Sequence, residues 1–186
     1  MKLKMYFLLL ALGALGLQSC DNDDDDDLSY VPAELKNAFT AKYPTVSNEK
    51  WETKGNYYVA DFRHQNYETS AWFTPDGTWQ MTETDIPYQA LPSAVKSAFE
   101  SSEYAKWKID DVDMLERLDM ETVYVIEVES GKQEFDLYYS AEGILIKSVA
   151  DTNNDSGNYL PAEVPAAIEN FIKEKYPAAR LAEIEV

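Results

Sequence analysis

Few residues in this 186-residue chain have the chemistry for a reaction centre, since it holds one His and one Cys. His64 stands between Arg63 and Gln65 in a stretch of turn composition. Catalysis there would need a nucleophile and an orienting acid brought beside it, and a solvent-facing turn residue is the simpler reading. Asp110, Asp111 and Asp113 form a carboxylate run of the kind that shares a proton or holds a cation. Successive strand residues face opposite ways, so only Asp111 and Asp113 share a side, which reads as a solvated strand face. Residues 151–157 place oxygens at alternate positions, as a Ca²⁺ loop does. They lack Gly at the sixth place and have Ala162 where the closing Glu belongs, so they read as a linker. One Cys and one His exclude Cys-clustered and His-pair metal sites, and the chain contains no P-loop, dinucleotide Gly pattern or Ser elbow. The expectation is no catalytic residue, no metal, no cofactor and no enzymatic activity.

The charge balance narrows the partners. Sixteen Lys and Arg against 34 Asp and Glu give −18, the wrong sign for nucleic acid, whose phosphates require concentrated basic side chains. An apolar share of 45% is enough to build a core. Lys2 and Lys4 precede an apolar run over 6–17, too short to cross a bilayer of about 30 Å. The run ends in Leu17-Gln18-Ser19-Cys20, which resembles the bacterial lipobox. The resemblance implies a signal peptide over 1–19 and lipidation at Cys20. Six Asp follow between 21 and 27; they repel one another and bury nothing, so 20–29 is read as a solvated tether. This acidic stretch resembles the export signal of Bacteroidetes lipoproteins. It implies an outer-membrane lipoprotein exposed at the cell surface, with the periplasmic face as the alternative and the lipid as its sole membrane contact. Beyond the tether, 28 acids against 14 bases keep the body acidic.

The elements that must position any site come as a repeat. Apolar residues fall at offsets 0, 4, 7 and 8 in Val31, Leu35, Ala38, Phe39; in Leu91, Val95, Ala98, Phe99; and in Val164, Ile168, Phe171, Ile172. That spacing is one stripe of an α-helix. Each copy has Pro in its first turn, at Pro32, Pro92 and Pro165, which presets φ. Tyr43-Pro44 and Tyr176-Pro177 mark stops, because Pro pushes the residue before it out of helix. Between helices the period switches to two. Strands are predicted at 49–53, 57–63, 67–73 and 78–84, then at 109–116, 122–129, 133–139 and 144–150, divided by turns such as Thr74-Pro75-Asp76-Gly77 and Ser140-Ala141-Glu142-Gly143. Short links favour antiparallel meanders. The predicted fold is α+β, made of tandem helix plus four-stranded antiparallel sheet repeats over 30–90 and 91–151. A linker, third helix and one short strand occupy 152–186.

This cycle of Val/Leu-Pro helix, Tyr-Pro stop, Trp51-bearing first strand and Asp-Gly or Glu-Gly turn resembles the PepSY-like, β-lactamase-inhibitor-like family of Bacteroidetes lipoproteins. The residues that carry it are Val31-Pro32, Tyr43-Pro44, Trp51, Phe73 to Gly77, Leu91-Pro92, Tyr139 to Gly143, Val164-Pro165 and Tyr176-Pro177. The resemblance implies helices covering one face of a sheet whose other face is available to a partner, and it implies no catalytic residues.

Strand parity names that other face. Phe73, Ala71, Tyr139, Leu137 and Phe135 form a continuous apolar set that should meet the helices. Trp72 alternates with Ser70 and Glu68, and Tyr138 with Asp136 and Glu134, so both should lie on the open side, joined by Tyr57; Trp79 is a further candidate whose parity fits either face. Aromatics among polar neighbours give large contact area at low rotamer entropy. The expected function is therefore a non-enzymatic binding module that engages or inhibits a protein partner, such as an envelope or extracellular enzyme. The alternative is a surface lipoprotein that binds a glycan or small ligand on the same aromatics.

Overall fold

The computed structural model describes residues 30–150 and 174–176. The expected signal peptide, tether, 151–157 linker, final strand and all but the end of the third helix lie outside those residues. Helix α1 (Ala33–Lys42) is followed by β1 (Lys50–Lys54), β2 (Tyr57–His64), β3 (Tyr67–Phe73) and β4 (Trp79–Asp85). A single 3₁₀ turn (Tyr88–Ala90) leads to α2 (Ser93–Glu100), then β5 (Lys108–Arg117), β6 (Val123–Ser130), β7 (Gln133–Ser140) and β8 (Leu145–Ala150). Both Pro-led starts among the described residues are helix starts. The carbonyls of Pro32 and Pro92 accept the first intrahelical bonds, from the Lys36 and Lys96 amides at 3.2 and 3.1 Å.

The strands do not divide into two four-stranded sheets. All eight form one antiparallel sheet in chain order, because β4 pairs with β5 from Met81↔Arg117 to Asp85↔Asp113. The expectation of separate sheets came from the intervening helix. That helix instead lies across the sheet while its flanking strands close the gap.

Two features recur at corresponding places within this single sheet. The registers of β3 with β4 and of β7 with β8 shift at matching places, Trp72/Phe73 and Tyr138/Tyr139. The turns that follow meet matching helix positions. A side chain on Gly77 (φ +85°) would come within 3.3 Å of the Glu34 carbonyl oxygen, and one on Gly143 (φ +82°) within 2.5 Å of that of Ala94. Each turn is thus pressed against the first turn of its own helix, where only Gly fits both the φ and the space.

Two cores lie on the helix face. Leu35 and Phe39 pack on Trp51, Ala60, Phe62, Ala71 and Phe73, with the Phe39 and Phe62 rings edge-to-face at 5.0 Å. Val95 and Phe99 pack on Val112, Ile126, Val128, Leu137 and Tyr139. A third cluster, Val59, Trp72, Met81, Leu115, Val123, Val125 and Tyr138, contains no helix residue and occupies the reverse face.

Candidate functional site

Because strand side chains alternate, the reverse face can be followed across the sheet through the register. One row runs Val59↔Trp72↔Met81↔Arg117. The next runs Lys50↔Asp61↔Ser70↔Glu83↔Leu115↔Val123. A third runs Asp85↔Asp113↔Val125↔Tyr138↔Lys147. Apolar and aromatic residues thus share this face with a set of carboxylates.

Trp72 and Tyr138 lie on the reverse face, as parity requires, but they are not open to solvent. Trp72 is 2% and Tyr138 8% exposed, and their neighbours Val59, Met81, Val123 and Val125 are fully buried. The expectation of a bare, ring-studded face is corrected: its centre is a core. Local alternation reports which way a side chain points and carries no information about what lies on top of it. Trp72 packs edge-on to Tyr57 at 6.2 Å, Lys54 approaches its ring at 5.4 Å, and its indole N–H is buried without a hydrogen-bond acceptor. Lys147 sits 4.4 Å over the Tyr138 ring. Tyr57 is half-buried at the rim.

Trp79 belongs to the other face. It pairs with Phe73, packs against the α1 core, donates its indole N–H to Thr82 Oγ1 at 2.9 Å, and carries the Lys42 ammonium 3.5 Å over its ring. The β3–β4 register shift that moves it there was invisible to simple alternation.

The carboxylates assemble from four strands. Asp113, in β5, is 5% exposed, whereas the sequence suggested a solvated position. It is faced by Glu83 and Asp85 of β4, Asp111 of β5 and Glu127 of β6. Burial first, and then these like charges, push its carboxyl up to about 9. Glu83 is pushed up to about 7 by burial, with Lys54 opposing and Asp61, Glu127 and Asp111 reinforcing. Asp61 is also raised by burial, although the Ser70 hydroxyl donates to it at 2.5 Å. Lys54 acts on Asp61 and Glu83, Lys50 on Asp61 and Arg63 on Asp85. Burial opposes the Lys54 charge, but its 2.8 Å ion pair with Glu52, together with Asp61 and Glu83, holds its pKa above the ordinary lysine value. Asp85 and Asp111 are exposed at the margin. Among the described residues no group of three His, Cys, Asp or Glu side chains is placed to hold a metal ion. The strip therefore gathers acids of like charge, with the carboxyls of Asp113 and Glu83 held toward the neutral form.

His64 is not a simple turn residue. It ends β2, half-buried, with its ring 5.6 Å from Tyr43, beside a cleft of about 380 Å³ on the helix face lined by residues including Tyr67, Thr84, Met114 and Tyr124. Tyr43 and Thr82 share a buried hydrogen bond of 2.6 Å at the cleft wall, and burial pushes the Tyr43 hydroxyl up to about 12. Sequence reading missed this cleft, because its lining comes from α1, β2, β3, β4, β5 and β6.

Residues 56–147 match a family model described as "Putative beta-lactamase-inhibitor-like, PepSY-like". Among solved structures, a BLIP-like protein from Bacteroides fragilis is 38% identical, with 76% of this chain and 99% of that one covered at a TM-score of 0.66. A DUF2874 family protein from Bacteroides ovatus is 30% identical over 69% and 92% of the two chains, TM-score 0.65. A "putative periplasmic" protein from Bacteroides eggerthii is 28% identical over 68% and 94%, TM-score 0.65. A search of curated proteins finds no match. Among the described residues no helix is long and apolar enough to cross a membrane.

Proposed function

Since the chain belongs to the PepSY-like, β-lactamase-inhibitor-like family, we propose that it is a non-enzymatic binding module, anchored to the outer membrane by a lipid on Cys20. In this reading it engages a protein partner through the acidic margin of the reverse sheet face, with Tyr57 at the far rim. The observation that carries the reading is the strip of Asp61, Glu83, Asp85, Asp111, Asp113 and Glu127, in which Asp113 is buried among like charges. A folded protein gains nothing from such an arrangement by itself. A partner Lys or Arg entering between the exposed Asp85 and Asp111 would neutralise it, and the surrounding field would speed encounter in a salt-dependent way.

The test is capture from native envelopes by the intact lipoprotein and by an Asp85→Lys/Asp111→Lys variant. A protein retained by the first and lost by the second, with an association rate that falls as salt rises, supports the reading. Identical capture by both refutes the role of the strip, and inhibition titrations against a periplasmic β-lactamase test the inhibitory form directly. The helix-face cleft favours a second reading, glycan or small-ligand binding, because Tyr43, Tyr67 and Tyr124 line one open cleft together with Thr69, Thr82 and Thr84. Saturable binding to a polysaccharide panel, abolished by Tyr124→Ala, would select it.

A further inference from the structure

The reverse face poses a packing problem that the described elements do not solve. Val59, Met81, Val123 and Val125 are fully buried, and Leu115 and Trp72 nearly so. A single sheet with nothing laid on it leaves its side chains partly wet, so this face needs a second layer. Neither described helix supplies one, for α1 and α2 both pack on the opposite face.

The chain contains one further amphipathic stripe, Val164, Ile168, Phe171 and Ile172, with the same offsets as the stripes that α1 and α2 bury. Its described end agrees with a helix stopping at Tyr176-Pro177: Glu174 and Lys175 are helical and exposed. If this third copy followed the first two, it would cover the helix side of β8. Register puts Leu145, Ser148 and Ala150 on that side, opposite Tyr139, Leu137 and Phe135. Leu145 is 43% exposed, and Ser148 and Ala150 are exposed too. That side is uncovered, while the centre of the reverse side is sealed and Val149, at its β8 margin, is 41% exposed.

We propose that the stripe of Val164, Ile168, Phe171 and Ile172 docks on the reverse face, over Trp72, Leu115, Val125 and Tyr138, and forms its second layer. The reach is sufficient. Thirteen residues lie between Ala150 and Val164 and extend up to about 45 Å, whereas β8 and β3, which carries Trp72, are five strand spacings apart, about 24 Å. The other end of the chain does not suit the role. Six Asp between 21 and 27 have no apolar area to bury and would be repelled by the carboxylate strip. The third copy of the repeat thus crosses to the opposite side of the sheet and closes, from within the chain, the face that the family resemblance leaves open. The placement stands whether or not the acidic margin binds a partner.

The test uses the full mature chain with Cys20→Ser, so that introduced thiols are the only ones. A Val125→Cys/Ile168→Cys protein left to oxidise in air should form a disulfide within one chain, because touching thiols need no reagent to enter, and a Leu145→Cys/Ile168→Cys protein should not. The reverse pattern would place the segment on the helix face, and cross-links only between chains would place a second copy over the sheet; either overturns the proposal. Independently, Val125→Cys should react with a thiol reagent at least about tenfold faster once Ile168→Asp and Phe171→Asp are added. Val95→Cys, beneath α2, should stay protected in both backgrounds, which shows that the sheet remains folded. Unchanged protection of Val125→Cys in that folded variant also overturns the proposal.

Discussion

Replacing Glu83 and Asp113 with Gln and Asn keeps the shapes of the protonated acids and removes their ability to ionise. In the folded chain Asp113 is pushed up to about 9 and Glu83 up to about 7, chiefly by burial, whereas an unfolded carboxyl titrates near about 4. The native state therefore holds protons that the unfolded state has released, and stability falls as pH rises from about 4 toward those folded values. Each extra proton contributes about 1.4 kcal/mol per pH unit. Between pH 5 and pH 7 Asp113 keeps its proton throughout and Glu83 for much of the interval. The native state should then lose about 4 kcal/mol, or roughly 10 °C in Tm for a domain of this size. Asp61 and Asp85 are shifted in the same direction. Asp76, lowered by its Thr74 and Thr78 hydrogen bonds, titrates below the window. Calorimetric melting from pH 5 to 7.5 should show this downward slope in the wild type and a much flatter one in the double variant, which should also be the more stable protein at pH 7.5. A wild-type Tm that is level or rising across the interval would show that Asp113 and Glu83 are ionised and compensated in the native state, and the account of the strip would fail.

Other expectations follow from the same geometry. Trp72→Ala should cost about 3–5 kcal/mol by chemical denaturation, because it empties a site that is 2% exposed; a loss below about 1 kcal/mol would restore Trp72 as a surface contact. Gly143→Ala should destabilise by more than Gly55→Ala. Both have positive φ, but a Cβ at Gly143 meets the Ala94 carbonyl at 2.5 Å and one at Gly55 meets nothing within 4 Å; equal losses would mean that the turn does not press on α2. Association with a captured partner should strengthen from pH 5.5 to pH 8 and weaken with salt, as titration calorimetry would read.

Strand boundaries were legible because they are set by local chemistry. Alternation and the Asp76-Gly77, Glu142-Gly143 and Gly131 turns place the eight strands predicted between 49 and 150 within a residue or so of their observed spans. Facing was legible for Trp72 and Tyr138, which do point away from the helices. Trp79 escaped because the register shift between Trp72 and Phe73 breaks the period of two that the inference assumed. Closure into one sheet escaped for a different reason. It depends on β4 meeting β5, strands separated by α2, and no local pattern encodes that encounter. The environment of Asp113 was out of reach in the same way. Its neighbours Glu83 and Glu127 are remote in sequence and share a face only through two strand registers.

The two pH trends carry opposite signs, and this separates a structural reading of the strip from a functional one. Protons retained by Asp113 and Glu83 stabilise the free fold, so acidification strengthens it. A partner cation between Asp85 and Asp111 favours the ionised form of the neighbouring Asp113 and Glu83, so binding is linked to release of their protons and grows easier as pH rises. A strip that existed only to hold the sheet together would do better as apolar side chains of similar volume, as its row-mates Leu115 and Val125 already are. Retaining acids beside a packed core sacrifices stability at neutral pH, and proteins concentrate such sacrifices where something is bound. Stability that falls with pH while affinity rises over the same interval would mark the strip as a surface completed by its partner.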